Sequence, residues 1–446
     1  MLSIAQRIDQ LPSTPMLRKV FFITGIAWMF DAMNQGMVSG VMAAIGEDWA
    51  LTTGQLGLLG SIGMLGMALG ATLSGMAADR VGRKTLIVSN LVIFGVASGL
   101  AGFSVNYPML LVLRFLTGFG LGGEGPVAFA FISEYTPTKI RGRNGVLLES
   151  FWAWGWIIAA LVAYFLIPVY GWRVAFWIGA IPALFAIVYY KTIPESPRYL
   201  ESAGKTEEAD SLVSIMEEQA GVRYKAEKGQ EENKSSAEKI RITFKDLWSR
   251  KYIRSTVVLW IIWFGVNFGY YGFVLWTPTL LVGKGFTLVK SFEFTLIMCL
   301  AQLPGYYSAA WLVERIGRKK LLSTYFAGTA LAAWLFGHAA SVTEVLLFGS
   351  LLYFFSLGAW GCVYAYTPEV YPTVARGSGS GWATAFGRLG AFSAPFVVPV
   401  IYNTYGTQTG FTYVFIMLTA VFATVAVAVA ILGKETMGKS LEEISG

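Results

Sequence analysis

Polar and apolar positions along this chain come in blocks rather than in alternation. Apolar runs of about 20 residues, the length that crosses roughly 30 Å of hydrocarbon, recur from end to end between short polar loops. Twelve spans are expected, near residues 20–44, 54–78, 85–105, 108–133, 145–168, 172–192, 252–281, 291–313, 321–340, 343–366, 379–402 and 410–433. One polar stretch, 193–251, divides them six and six, and its segment AEKGQEENKSSAEKIR is too poor in apolar residues to insert. The pattern predicts an all-α membrane protein of twelve transmembrane helices in two six-helix halves. Residues 1–192 form the first bundle, 193–251 a solvated, partly helical cytoplasmic linker, and 252–446 the second bundle with a short cytoplasmic tail.

Composition agrees, with 55% hydrophobic and 14% charged residues among 446. A net charge of +7 raises nucleic-acid binding, but the positions of the basic residues argue for topology instead. DRVGRK, KIRGR, the central segment, ERIGRKK and VARG fall in alternate loops, whereas GEDWALTTGQ and SVNYP carry no positive charge. The short outer loop VGKGFTLVKS is an exception. Both termini are therefore expected in the cytoplasm, with the chain spanning the plasma (inner) membrane as a monomer. Residues 1–19 have no apolar core ahead of a cleavage site, so no removable signal is expected. Cys299 and Cys362 lie within spans and read as packing residues.

The two halves align at a constant offset of 235 residues. It places Asp79-Arg80-x-Gly82-Arg83-Lys84 on Glu314-Arg315-x-Gly317-Arg318-Lys319, Glu134, Arg141 and Gly142 on Glu369, Arg376 and Gly377, and Trp28 on Trp263. Two similar six-span halves suit a transporter whose midplane site opens to either side in turn. In that reading Asp79, Arg80, Arg83, Glu314, Arg315 and Arg318, with Glu134, Arg141, Glu369 and Arg376, form a cytoplasmic gate. It would hold the halves together in one state and release them in the other.

These residues resemble the major facilitator superfamily. GMAADRVGRK is similar to its signature loop, AWLVERIGRKK to the echo six spans later, and RFLTGFG to its fourth-span arginine motif. PESPRYL and GKETMGKSLEEI resemble the sugar porter and organic ion branch. WMFDAMNQGM, LGLGGEGPVA, LLESFWAWGW, YYGFVLWTP, LGAWGCVYAYTPEVYPT and AFGRLGAF look closest to the bacterial niacin permeases, in which a second acid often stands at the place of Asn34. The resemblance implies a secondary active importer of nicotinate or a related small aromatic monocarboxylate, working by alternating access with the proton as coupling ion.

Charges inside spans must be compensated or functional, which singles out Asp31, Arg114, Glu124, Glu149 and Arg388. None has a like-charged counterpart at the repeat offset. Arg388, amid small residues, suits a substrate carboxylate, which a guanidinium grips through two charge-assisted hydrogen bonds. The resemblance adds that organic anion carriers of this branch use an arginine in span eleven. Asp31, Glu124 and Glu149 are candidates for taking and releasing a proton, with Arg114 as a charge partner. Trp28, Asp31, Asn34 and Gln35 share a face of span one, and Glu149, Trp152 and Trp156 one of span five. Asn267, Tyr270 and Tyr271 in span seven and Trp360 and Tyr364 in span ten are the further candidates for lining the cavity. Aromatic faces would stack on a planar ring, and Gln302, beside Pro304, could bond a ring nitrogen or satisfy backbone freed by the proline. A benzoate-type substrate, a sugar or organic cation porter and a non-transporting sensor are the alternatives. The lone His338 supports neither a metal site nor a catalytic dyad, no Walker motif accompanies the glycines, and no enzyme, cofactor or nucleic-acid partner is expected.

Overall fold

The computed structural model describes residues 3–222, 224, 244–371 and 373–437, and every regular element among them is helical. Only internally bonded backbone is tolerated in hydrocarbon, which is why apolar blocks become helices. Spans one to five are Pro15–Asp48, Thr53–Val81, Arg83–Ala101, Tyr107–Tyr135 and Thr138–Phe165. Span six is Arg173–Ile178 with Ile181–Thr192, span seven Ile253–Val274 with Thr277–Gly283, and span eight Leu288–Leu300 with Gln302–Ile316. Spans nine to twelve are Arg318–Gly337, Val342–Val370, Thr373–Tyr405 and Thr407–Leu432. Ten of the candidate membrane crossings stand out by length and apolarity alone. The first span is made less apolar by Arg18, Lys19, Asp31, Asn34 and Gln35, and the ninth by Arg318, Lys319 and Lys320.

The continuous spans expected at 172–192, 252–281 and 291–313 are each interrupted, close to Pro182, Pro278 and Pro304. A proline lacks the N–H that closes a helical turn. The segment AEKGQEENKSSAEKIR lies outside the described residues.

Two compact units can be distinguished. The first gathers Met1–Asn34, Leu65–Gly155 and Phe176–Lys239, the second Gln35–Met64, Trp156–Ala175 and Ile240–Gly446. Within the first unit, glycines of span four bring helices into close approach. A Cβ on Gly122 would run into the carbonyl of Met67, one on Gly120 would meet Phe94 at 2.7 Å, and one on Gly125 would meet the Trp28 indole at 2.8 Å.

The first unit also holds an extramembrane lobe. A capping box at Ser3 and Gln6 starts the helix Ile4–Gln10. Ile4 and Ile8 pack on Leu200, Ala209 and Val213 of the helices Pro197–Ser202 and Thr206–Ala220. Arg7 bonds Glu217 through Nε at 2.6 Å and Nη2 at 3.1 Å, and also pairs with Asp210. Donating to the Glu217 carboxylate, first, and to that of Asp210 raises the Arg7 pKa despite burial.

In the second unit, span one meets span seven at its break. Pro278 has no N–H for the carbonyl of Val274 four residues earlier, and the Ser39 hydroxyl supplies a donor, 2.9 Å from Val274 O and 3.0 Å from Leu275 O. One turn away, Tyr271 donates to Gln35 at 3.1 Å. Ser61 donates to the Phe392 carbonyl at 3.0 Å and Thr53 to Asn403 at 2.6 Å, so spans two and eleven are joined as well.

Candidate functional site

The second unit assembles most of the residues expected to line a cavity. Tyr270 is their centre, with ring centroids 5.9 Å from Trp156, 5.4 Å from Tyr271 and 5.2 Å from Trp360. Trp360 continues to Tyr364 at 6.4 Å, and Tyr364 meets Trp263 edge-on at 5.2 Å. Edge-on and tilted contacts suit the quadrupoles of the rings, about 0.5–1.5 kcal/mol per pair beyond area burial. Several polar groups here are committed to structure. Asn267 donates to the Trp263 carbonyl at 2.8 Å, and Trp263 Nε1 donates to Thr367 at 3.0 Å.

Arg388 follows Gly387, whose missing Cβ lets span eleven lie against Trp263 and Asn267 of span seven. The Arg388 side chain is half-buried and makes no hydrogen bond or ion pair with another of the described residues. Gln302 is 0% exposed, and its amide lies against the Cys299 thiol rather than a backbone carbonyl. It does not serve the backbone freed by Pro304.

The first unit holds the other expected group. Trp28 packs on Trp152 with centroids 4.9 Å apart and edge-on to Phe129 at 5.8 Å. Asp31, Glu124, Glu149 and Arg114 are buried in the same unit. Glu124 is fully buried, both its oxygens lack hydrogen bonds among the described residues, and the charge nearest in effect is that of Asp31. Nε and Nη1 of Arg114 likewise have no partner among the described residues. Arg114 and Glu124, ten residues apart on span four, form no ion pair here. Asn34, on the stripe read as facing a cavity, gives its amide to the carbonyls of Gly179 at 3.3 Å and Phe30 at 3.4 Å.

Two pairs among the expected gate residues are in contact, at matching positions of the repeat. Arg83 pairs with Glu134 at 3.0 Å and Arg318 with Glu369 at 3.2 Å, each within its own half. Two carboxylates whose role the sequence reading left open adjoin these pairs. Glu195 of PESPRYL accepts from the backbone N–H of Lys84 at 3.1 Å, and Glu435 of GKETMGKS from that of Arg318 at 2.9 Å. Each places negative charge at the start of a span, where the helix dipole favours it. The turns entering those spans use Gly82 and Gly317 at φ +96° and +89°, a conformation that strains other residues. The Arg80 carbonyl accepts from Tyr199 at 3.1 Å, and the Arg315 guanidinium lies 3.7 Å over the Trp311 ring. The side chains of Asp79, Arg141, Glu314 and Arg376 lie outside what the structure describes.

Residues 19–446 match the family model described as sugar (and other) transporter. The chain is 46% identical over 443 residues to the niacin transporter NiaP of Acinetobacter baylyi, covering 99% of this chain and 100% of that protein. It is 41% identical to the putative niacin/nicotinamide transporter NiaP of Bacillus subtilis, covering 95% and 98%. The crystal structure of a D-xylose-proton symporter has the same fold, with a TM-score of 0.75 at 18% identity over 95% of this chain and 100% of that one. The helical fold, the matching Arg83–Glu134 and Arg318–Glu369 pairs and the full-length similarity agree: the chain belongs to the sugar (and other) transporter family of the major facilitator superfamily, a family of multi-pass membrane transporters rather than enzymes.

Proposed function

We propose that this protein imports a small aromatic monocarboxylate, nicotinate foremost, by alternating access coupled to protons. The observation that carries this reading is Arg388, a half-buried guanidinium with no acid partner among the described residues, in the unit that also holds the aromatic group around Tyr270. Its fork suits a carboxylate, and the rings suit a planar body. The names of the two similar niacin transporters support the choice of acid. In this reading residues 1–192 and 252–446 act as two rocking bundles joined by 193–251, with both termini in the cytoplasm of a monomer in the inner membrane. Arg83–Glu134 and Arg318–Glu369 then serve the gate by fixing the ends of each bundle.

The test is uptake of labelled nicotinate into proteoliposomes. Unlabelled nicotinate is expected to compete at least about tenfold better than benzoate, since a site that hydrogen-bonds a heteroatom rejects an analogue lacking it. Failure of every pyridine carboxylate to compete rejects nicotinate, and better competition by benzoate favours that acid instead.

Coupling falls in this proposal to the buried acids of the first unit, Glu124 with Asp31 and Glu149. Glu124→Gln keeps the shape and removes the titration. It is expected to retain nicotinate exchange while losing the acceleration of uptake by an inward proton gradient. A wild-type pH profile in the variant removes Glu124 from the relay.

A further inference from the structure

Ahead of span seven, residues 244–254 lay a short foot against the second unit. A single helical turn, Asp246–Trp248, buries Leu247 completely, and the Leu247 carbonyl accepts from the Thr256 hydroxyl at 2.7 Å. Tyr371 donates to the same hydroxyl at 2.8 Å. The rings of the foot then gather those of spans seven and eleven. Phe244 lies 4.7 Å from Trp382 and 6.1 Å from Trp260 between centroids, Trp248 meets Trp260 edge-on at 5.1 Å, and Trp260 stacks on Phe386 at 4.2 Å. Despite these contacts, Phe244, Trp248 and Trp382 remain 43%, 38% and 46% exposed. Aromatic rings at the end of a span suit the layer between hydrocarbon and water, where an apolar face and a polar edge both find partners.

The foot is also cationic. Between Phe244 and Arg254 stand Lys245, Arg250, Lys251 and Arg254 against one acid, Asp246. Arg254 is committed, since it donates to the carbonyls of Leu432 at 2.9 Å and Ile431 at 3.2 Å at the end of span twelve. Lys245, Arg250 and Lys251 are exposed and form no ion pair with another of the described residues. Exposed rings alone would suit any bilayer, whereas rings beside surplus positive charge suit one with anionic headgroups. A soluble anion would use the cations and leave the rings in water. The combination therefore favours a lipid.

We propose that the foot and Trp382 form a binding site for an anionic phospholipid, with the rings beside its acyl chains and Lys245, Arg250 and Lys251 around its phosphate. Each cation held close to an anionic surface contributes about fivefold to the attraction. Trp382 and Phe386 belong to span eleven, so a bound lipid holds the foot to that span as well as to span seven.

The experiment is amide hydrogen exchange across 244–254 in nanodiscs of phosphatidylcholine alone and of equal parts phosphatidylcholine and phosphatidylglycerol. The N–H groups of Trp248, Ser249 and Tyr252 report it, being bonded to the carbonyls of Lys245, Asp246 and Ser249 at 3.2, 3.1 and 3.0 Å. Phosphatidylglycerol is expected to slow their exchange at least about tenfold, and equal exchange in the two bilayers overturns the site. The triple variant Lys245→Gln, Arg250→Gln, Lys251→Gln should exchange in the mixed bilayer as wild type does in phosphatidylcholine. Unchanged exchange across 258–270 checks that the variant is inserted. Slowing retained in the triple variant overturns the role of the cations. Trp382→Leu, which removes the ring and keeps an apolar side chain, should lose most of the slowing with the cations intact, and full slowing there overturns the role of the rings. Inorganic phosphate that reproduces the slowing in phosphatidylcholine nanodiscs overturns the lipid in favour of a free anion.

Discussion

Arg388→Ala is expected to lower nicotinate uptake by at least about 100-fold, with the variant still inserted at normal levels. Losing one partner of a desolvated charge pair costs about 2–5 kcal/mol, and a 100-fold loss corresponds to about 2.7 kcal/mol. The side chain is half-buried, so solvent screens part of the interaction and the lower part of that range applies. Arg388→Lys retains the charge without the planar fork, so its uptake should fall between wild type and alanine. Initial rates at several nicotinate concentrations check this, and the loss should appear mainly in apparent affinity. Uptake by Arg388→Ala within threefold of wild type, about 0.65 kcal/mol, would place the anion anchor elsewhere.

The second large effect lies outside the membrane. Arg7 and Glu217 are each 2% exposed, so Arg7→Ala leaves a buried carboxylate whose partner is gone. Breaking a buried pair in this way costs about 3–5 kcal/mol, and the half-exposed Asp210 offers no replacement cation. The lobe built from Ile4–Gln10 and Thr206–Ala220 should then open. Amide hydrogen exchange across 206–220 is expected to rise by about 100-fold or more, while the double variant Arg7→Met with Glu217→Met recovers most of the protection. Protection unchanged in Arg7→Ala would show that Ile4 and Ile8 hold the lobe without the pair. The raised pKa of Arg7 contributes stability that is complete below the ordinary arginine range and lost only as pH rises past the raised value. Arg7 thus provides no switch near neutral pH.

The spans were legible because a run of about 20 apolar residues has few other uses. The breaks in spans six, seven and eight were less so: a proline signals a missing N–H, but its neighbours decide whether the helix bends or stops. Charged residues within spans were easy to single out because they are rare, and Arg388 and Glu124 were visible for that reason. Their partners were not. The Ser39 contact with Val274 and the commitment of the Asn34 and Asn267 amides depend on which helices meet, which spacing along one helix does not reveal. The helix Ile4–Gln10 escaped for the same reason, since its apolar pair Ile4 and Ile8 gains meaning only from Leu200, Ala209 and Val213 about 200 residues later. Glu195 and Glu435 lay in recognisable motifs, yet their helix-capping role needed coordinates.

The hydrogen bond between Ser39 and Val274 joins residues 235 positions apart, the offset of the internal repeat. Equivalent positions of the halves therefore touch each other, as in an isologous dimer. Yet they are chemically complementary rather than identical. Span one is unbroken from Pro15 to Asp48 and offers a hydroxyl, whereas span seven breaks and offers carbonyls. Two copies of the first half would set serine against serine with no broken helix to satisfy. At this contact the first half of the sequence supplies the donor and the second half the acceptors, so the two stretches could not stand in for one another there.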